Sequence, residues 1–234
     1  PDQLEETLDV MKKKLASLES ENNIPDLKLR VDHLKNSYQS LASQISNKRK
    51  KISNQFEQDV TNWMKKLSME NTSLKLSISS RDAPGPSGYD DVNFLINHKG
   101  IETDVKLNRI ASGGELSRIS LAITVVMANT SRTPSLIFDE VDSGIGGNTA
   151  HTVGELLRFL GENQQILCIT HLPQVAVNGH SHFLITKGVK NSLPTSEVVS
   201  IDGESRVDEI SRMLGNGVQS NESINHAKAL LKNK

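Results

Sequence analysis

Residues 135–140 have the sequence Ser-Leu-Ile-Phe-Asp-Glu, a short apolar run that ends in two adjacent carboxylic acids. A second apolar run occupies residues 166–169 and ends in the polar pair Thr170-His171. Between the two runs, residues 148–160 show the apolar spacing of a helix. Apolar strands joined by helices predict an α/β fold whose parallel sheet is buried on both faces. Because ligands of such sheets bind at the carboxyl ends of the strands, the two polar ends are candidate site positions.

The two acids after the first strand are suited to phosphate chemistry. Beside a bound nucleotide, Asp139 can hold Mg²⁺ through water, and Glu140 can orient or deprotonate the water that attacks a phosphoryl group. His171, at the end of the second strand, is suited to contact with a terminal phosphate. Each signal also has a plain structural interpretation, because surface acids at strand ends and single structural histidines are common.

Residues 112–118, Ser-Gly-Gly-Glu-Leu-Ser-Arg, begin a predicted helix that runs to about residue 129. The Ser112 hydroxyl and the amides of Gly113 and Gly114 lie at its N-terminus, where free N–H groups and the helix dipole attract anions. The same residues also form a capping box, in which Ser112 caps the helix and Glu115 reaches back to it. The two interpretations are compatible.

The first 69 residues predict a coiled-coil arm. Apolar residues along positions 4–18 step by four and three, which is the spacing of a coiled-coil seam. A break follows near Pro25, and a second seam drifts along residues 26–69, which indicates a stutter in one long helix. Such a helix needs a partner helix. The alternative is that it lies on its own domain or pairs with residues 1–22 as a short hairpin.

A second domain is predicted over residues 70–234, where the helical period ends. Apolar residues alternate along residues 74–78 and again along residues 92–96, and the turn sequence Ala-Pro-Gly-Pro-Ser-Gly at 83–88 lies between them. This pattern predicts an antiparallel hairpin.

The composition excludes several classes of protein. With 27 Lys and Arg against 28 Asp and Glu, the net charge is −1, so any DNA-binding surface must be local. The basic cluster Lys-Arg-Lys-Lys at 48–51 is one candidate for phosphate contact, although such clusters are more often a solvated helix face. The single cysteine, Cys168, excludes an internal disulfide. The sequence has neither a long apolar run nor a signal peptide, which predicts no membrane insertion and no export.

The order and spacing of these motifs resemble the second half of an ABC-type ATPase head. The segment SGGE resembles the ABC signature and LIFDE the Walker B strand, while residues 143–147 occupy the D-loop position and His171 that of the switch histidine. An arm that enters such a head is similar to the SMC-like branch. The segments IASGGELSRISLAI, LIFDEVDSGIGG and ILCITHLPQVA resemble the RecN family of bacterial DNA-repair proteins, and the resemblance covers roughly residues 50–234.

The resemblance implies an ATPase in which two heads form a homodimer around two ATP molecules. The catalytic residues would then be Glu140 as base and His171 as a γ-phosphate contact, and Asp139 would help to hold Mg²⁺. The implied nucleotide-binding residues, several of them reaching across from the partner head, are Ser112, Gly113, Gly114, Glu115, Asp142 and Ser143. The implied function is ATP-dependent DNA repair and recombination in the bacterial cytoplasm, with DNA held or tethered at double-strand breaks on the nucleoid.

One part of the family pattern is absent. A Walker A loop needs a Gly-Lys pair, and none of the 15 glycines is followed by Lys. The chain also begins with Pro1, so we expect a C-terminal piece that acts with a missing N-terminal half and is inactive on its own. The alternatives are a nucleotide-independent coiled-coil scaffold with a degenerate head, or the ATPase subunit of another ABC system.

Overall fold

The computed structural model describes residues 2–21, 24–101, 103–110, 112–128, 133–190, 193–215 and 220–232. These residues divide into two structural units. The first comprises the residues up to Ser53 together with Ile78–Val92, and the second comprises Asn54–Ser77 together with the residues from Asn93 onward. The predicted division into an arm up to residue 69 and a domain from residue 70 stays a prediction.

Two helices begin the chain, α1 (Asp2–Glu21) and α2 (Ile24–Lys66). The predicted break falls between them: residues 22 and 23 lie outside the described residues, and Pro25 occupies the first turn of α2, where its missing N–H costs nothing. The apolar seam of the first unit is exposed in both helices. Its exposed members are Leu8, Met11, Leu15, Leu27, Val31, Leu34, Leu41, Ile45 and Ile52. The alternative in which the two helices bury their seams against each other is therefore wrong.

The predicted hairpin is confirmed, with longer strands than expected. Strands β1 (Thr72–Gly85) and β2 (Gly88–His98) are paired neighbours and leave only Pro86 and Ser87 as the turn. The short strand β3 (Val105–Lys106) pairs antiparallel with β2. A single 3₁₀ turn, Leu107–Arg109, follows β3.

Within the first unit, the tip of this hairpin packs on α2. The Tyr38 hydroxyl donates to the Gly85 carbonyl at 2.8 Å, and the Gly85 N–H donates back at 3.1 Å. The Tyr38 and Tyr89 rings meet edge to face, with centroids 5.5 Å apart. Gly88 has a φ of +100° and lies against the buried Ala42, so both its backbone and its lack of a side chain suit this contact.

An ion pair secures the same contact. Arg49 donates from Nη1 to Asp90 Oδ2 at 2.8 Å and to the Ser87 carbonyl at 3.1 Å, while Ser46 donates to Asp90 Oδ1 at 2.8 Å. The hydrogen bond from Arg49 holds the pKa of the Asp90 carboxyl below its usual value. Arg49, one member of the basic cluster at 48–51, is thus already engaged by a carboxylate.

The second unit contains the remaining helices and strands. Helices α3 (Gly113–Met127) and α4 (Gly147–Gly161) flank strand β4 (Ser135–Phe138), and β5 (Gln165–Cys168) follows α4. The predicted end of α3 at about residue 129 lies outside the described residues. After a short helix α5 (Pro173–Ala176), β6 (His182–Lys190) and β7 (Leu193–Ile201) form an antiparallel hairpin. Helices α6 (Gly203–Leu214) and α7 (Asn221–Lys232) complete the unit.

The two apolar runs form the predicted parallel pair. Strands β4 and β5 align from Ser135 opposite Gln165 to Phe138 opposite Cys168. The expectation that both faces are buried is wrong, because Ile137, Leu167 and Ile169 remain 70%, 45% and 54% exposed. The opposite face carries the buried Phe138, and only this face has core partners within the described chain.

One apolar core holds the site-bearing elements in place. It joins the end of α2 through Met64 and Leu67, the hairpin through Ile96, α3 through Leu121, and α4 through Val153. A smaller cluster packs α5 against α6 and α7. No helix among the described residues is long and apolar enough to span a membrane.

Candidate functional site

The N-terminus of α3 has the predicted cap. The Glu115 N–H donates to Ser112 Oγ at 3.4 Å, and Ser112 itself has extended backbone angles, as an N-cap residue requires. The following glycines allow other groups to approach closely. A Cβ at Gly113 would overlap the Glu140 carboxylate, and a Cβ at Gly114 would lie 2.9 Å from Ser143 Cβ and 3.2 Å from the Glu140 carbonyl oxygen.

The loop after β4 carries the two predicted acids on the surface. Asp139 and Glu140 are both exposed. Glu140 has a φ of +55°, a left-handed conformation that costs a non-glycine residue on the order of 1 kcal/mol. A turn hydrogen bond of 3.0 Å from the Ser143 N–H to the Glu140 carbonyl accompanies it. The strained residue is therefore the one predicted to act as base.

Two side chains of α3 fasten this loop to the helix. The Ser117 hydroxyl donates to the Asp139 carbonyl at 2.7 Å, and Arg118 donates from Nη1 to the Ser143 carbonyl at 2.7 Å. Arg118 is only 8% exposed, and this burial lowers the pKa of its guanidinium, while the Glu115 charge opposes the shift. Both partners on the loop are backbone carbonyls, so these bonds fix the course of the main chain.

Asp142 connects the same loop to the end of β5. It is 2% exposed, and its Oδ2 accepts hydrogen bonds from Thr170 Oγ1 at 2.5 Å and from the His171 N–H at 3.0 Å. His171 Nδ1 lies 3.3 Å from the same oxygen, while the His171 side chain is 72% exposed. The buried carboxylate thus lies beneath the histidine, away from the surface.

These contacts bring every predicted site residue into one connected cluster. The start of α3 meets the loop through Gly113, Gly114, Ser117 and Arg118, and the loop meets the end of β5 through Asp142. The chemical roles assigned to these residues remain predictions. Asp142 differs from the expected placement, because its carboxylate is covered by Thr170 and His171 and is not open to a ligand.

The side chains of this site can hold Mg²⁺ only together with a bound nucleotide. Among the described residues, no group of three His, Cys, Asp or Glu side chains is placed to hold a metal ion. Mg²⁺ at nucleotide sites needs only one or two carboxylates, because phosphates and water complete its shell. The exposed Asp139 meets that requirement, whereas a separate metal centre does not fit.

Cys168 is not a nucleophile of this site. Burial raises the pKa of its thiol to about 12, and the Asp142 and Asp139 carboxylates add to the shift. A thiol with such a pKa is protonated at neutral pH and reacts slowly.

Sequence reasoning missed Arg118 and Thr170. A signal for Arg118 is present, since it lies one helical turn from Gly114 and from Ala122, both on the buried face of α3. An arginine on such a face needs a tertiary partner. Thr170 has no comparable signal, because its partner is 28 residues away.

Several known proteins with similar sequences are named DNA repair protein RecN. A DNA repair protein RecN of Vibrio cholerae is 37% identical over 233 residues, which are 99% of this chain and 42% of that protein. A DNA repair protein RecN of Bacillus subtilis is 32% identical, with 98% of this chain and 41% of that protein aligned. The chain thus spans about two-fifths of the length of these relatives. No family model matches it.

Solved structures that the chain resembles include head domains of SMC proteins. The Smc head domain of Pyrococcus yayanosii, with a coiled coil and joint, has a TM-score of 0.49 and 18% identity, covering 90% of this chain and 38% of that one. The chain matches these RecN proteins over nearly its whole length at more than 30% identity, so it belongs to the RecN family.

Proposed function

We propose that the chain is part of an ATP-dependent DNA-repair protein that binds or tethers DNA at double-strand breaks through ATP-driven dimerisation of its heads. The RecN relatives support the DNA-repair part of the proposal by their names. We place this activity on the bacterial nucleoid, in the cytoplasm. DNA and a second copy of the head are the proposed partners.

One observation carries the proposal: direct contacts assemble the start of α3, the loop after β4 and the end of β5 at a single edge of the β4–β5 pair. An anion-binding helix N-terminus, two exposed acids and an exposed histidine are the groups that nucleotide hydrolysis requires.

Each residue has a proposed task. Asp139 would hold Mg²⁺ on the nucleotide, and Glu140 would orient and deprotonate the attacking water. His171 would contact the terminal phosphate. Ser112 and the Gly113 and Gly114 amides would bind the phosphates of nucleotide held by the other head. ATP and Mg²⁺ supply the reacting phosphate and its charge neutralisation.

The phosphate cradle is the part that this chain does not supply. No Gly-Lys pair occurs in it, so we propose that residues outside these 234 provide a Walker A loop. The 234-residue chain should then hydrolyse ATP at the background rate. Robust hydrolysis by the purified chain would contradict the need for a second segment.

The test uses a protein in which this chain is joined to a segment with a Walker A loop. Glu140→Gln keeps the size and polarity of the side chain but removes the base. We expect it to bind ATP and to lose about 100-fold or more in turnover, a typical contribution of a general base. Glu162→Gln, at an exposed acid beyond α4, is the matched control and should retain turnover. Unchanged turnover in Glu140→Gln would remove Glu140 from this role.

A second candidate function rests on a different observation. The exposed seam of α2, including Leu34, Leu41 and Ile45, can pair with another helix without any nucleotide. In that case, the chain is a coiled-coil scaffold. Sedimentation distinguishes the two candidate functions. A scaffold associates to the same extent with and without ATP, whereas association of an ATPase head depends on ATP.

A further inference from the structure

We propose that Asp142 is a positioning residue that sets the tautomer of His171, and that it does not bind nucleotide itself. The geometry points to this role. Asp142 is 2% exposed, so a nucleotide has no access to its carboxylate. His171 lies between that carboxylate and solvent, with its side chain 72% exposed.

The carboxylate cannot turn away from the imidazole. Its Oδ2 accepts from the Thr170 hydroxyl at 2.5 Å and from the His171 main-chain N–H at 3.0 Å. Thr170 is itself fixed, because its Oγ1 accepts from the Leu172 N–H at 3.0 Å. Two donors from the neighbouring strand end thus hold the negative charge under the ring in advance of any ligand.

The position of that charge decides where the imidazole carries its proton. His171 Nδ1 is 3.3 Å from Asp142 Oδ2. A bare Nδ1 would hold its partial negative charge 3.3 Å from a carboxylate oxygen, whereas an Nδ1–H reverses the sign of that interaction. The neutral ring therefore carries its proton on Nδ1, and Nε2 is left as a hydrogen-bond acceptor.

This tautomer changes the task of His171 in the proposed reaction, and that part of the inference rests on the proposed function. A neutral ring with a free Nε2 accepts a proton or a hydrogen bond, for instance from a water molecule. From Nε2 it can donate to a phosphate oxygen only as the imidazolium. Asp142 thus prepares His171 for either step without touching the substrate.

The tautomer can be measured on the 234-residue chain without nucleotide. Long-range ¹H–¹⁵N correlation spectra distinguish Nδ1–H from Nε2–H rings, and His171→Ala assigns the signals. At about pH 8, where an ordinary histidine is neutral, we expect the Nδ1–H pattern in the unmodified chain. An Nε2–H pattern for His171 would overturn the inference, whether or not any variant of Asp142 folds.

Two variants complete the test. Asp142→Asn should shift the ring toward Nε2–H, while Thr170→Val, which removes a different donor from the same carboxylate, should keep the Nδ1–H pattern. An unchanged pattern in Asp142→Asn, or an equal change in both variants, would overturn the role. In the protein completed with a Walker A loop, Asp142→Asn should lower kcat on the order of 10–100-fold with KM retained, the range for losing a carboxylate that orients a metal-bound histidine. Failure of the proposed ATPase would leave the tautomer result intact.

Discussion

Arg118 donates a 2.7 Å hydrogen bond to the main-chain carbonyl of Ser143, and this bond ties the helix of the SGGE segment to the loop that follows the two acids. The guanidinium is 8% exposed, and its Nε has no partner among the described residues. One charge-assisted hydrogen bond thus fixes the main chain of the loop on α3.

Removal of the Arg118 side chain should loosen the loop. Arg118→Ala loses a hydrogen bond from a charged donor and leaves the Ser143 carbonyl without it, so we expect the free energy of unfolding to fall by about 2 kcal/mol. Urea unfolding followed by circular dichroism measures the change. Arg109→Ala, at an exposed arginine, is the control and should stay within about 0.5 kcal/mol of the parent chain. Equal effects of the two substitutions would contradict the role of the buried bond.

The two glycines at the start of α3 should respond differently to the same substitution. In Gly114→Ala the new methyl group meets the Glu140 main chain and Ser143, so we expect a loss of about 1–3 kcal/mol. In Gly113→Ala the new methyl group meets only the end of the Glu140 side chain, which can rotate away. Alanine also favours the helical conformation more than glycine does. Gly113→Ala should therefore be neutral or slightly stabilising. The melting temperatures of the two variants test this difference. If Gly113→Ala melts at a lower temperature than Gly114→Ala, the close approach of Glu140 and Ser143 to Gly114 is wrong.

Glu140 should carry measurable backbone strain. Its φ of +55° suits glycine, so Glu140→Gly should be more stable than Glu140→Ala by about 1 kcal/mol, although glycine normally destabilises relative to alanine. Both variants lack the carboxylate, so their difference reports the backbone alone. If Glu140→Ala proves the more stable of the two, residue 140 does not adopt the left-handed conformation in solution.

The Arg49–Asp90 ion pair at the hairpin tip should make the stability of the chain depend on pH. The folded-state pKa of Asp90 lies below its ordinary value of about 3.9, so its contribution is present above that pH and is lost as the pH falls through the folded-state pKa. We expect Asp90→Asn to be less stable than the parent chain near pH 7 and to match it once the pH falls below the folded-state pKa of Asp90. Asp82→Asn, at an exposed acid in the same hairpin, is the matched control and should show no such difference. A difference that persists in strong acid would contradict an ionic origin.

The sequence was informative where local pattern determines structure. The apolar spacing before Gly161 predicted α4 to within a residue or two, and the run before Asp139 predicted β4, because both elements depend on their own side chains. The cluster of site residues could also be anticipated, since strand ends of a parallel pair share one edge. The hydrogen bonds that hold the cluster together could not be predicted. They join Arg118 to Ser143 and Thr170 to Asp142, which are 25 and 28 positions apart in the sequence.

One expectation and one alternative from the sequence are wrong for the same reason. Burial of both faces of the β4–β5 pair was expected from apolar composition, yet Ile137 and Leu167 are exposed. Pairing of α1 with α2 was an alternative for the same reason, yet Leu15 and Leu34 are both exposed. Apolar character shows that a surface requires a partner but not whether the same chain provides it.

In the proposed function, ATP joins two heads through the SGGE segment, and hydrolysis that depends on Glu140 separates them. Sedimentation velocity of the Glu140→Gln protein, completed with a Walker A loop, tests the claim most directly. We predict a monomer without ATP and a long-lived dimer with ATP and Mg²⁺, because the nucleotide is bound but not hydrolysed. The same sedimentation coefficient with and without ATP would contradict the account.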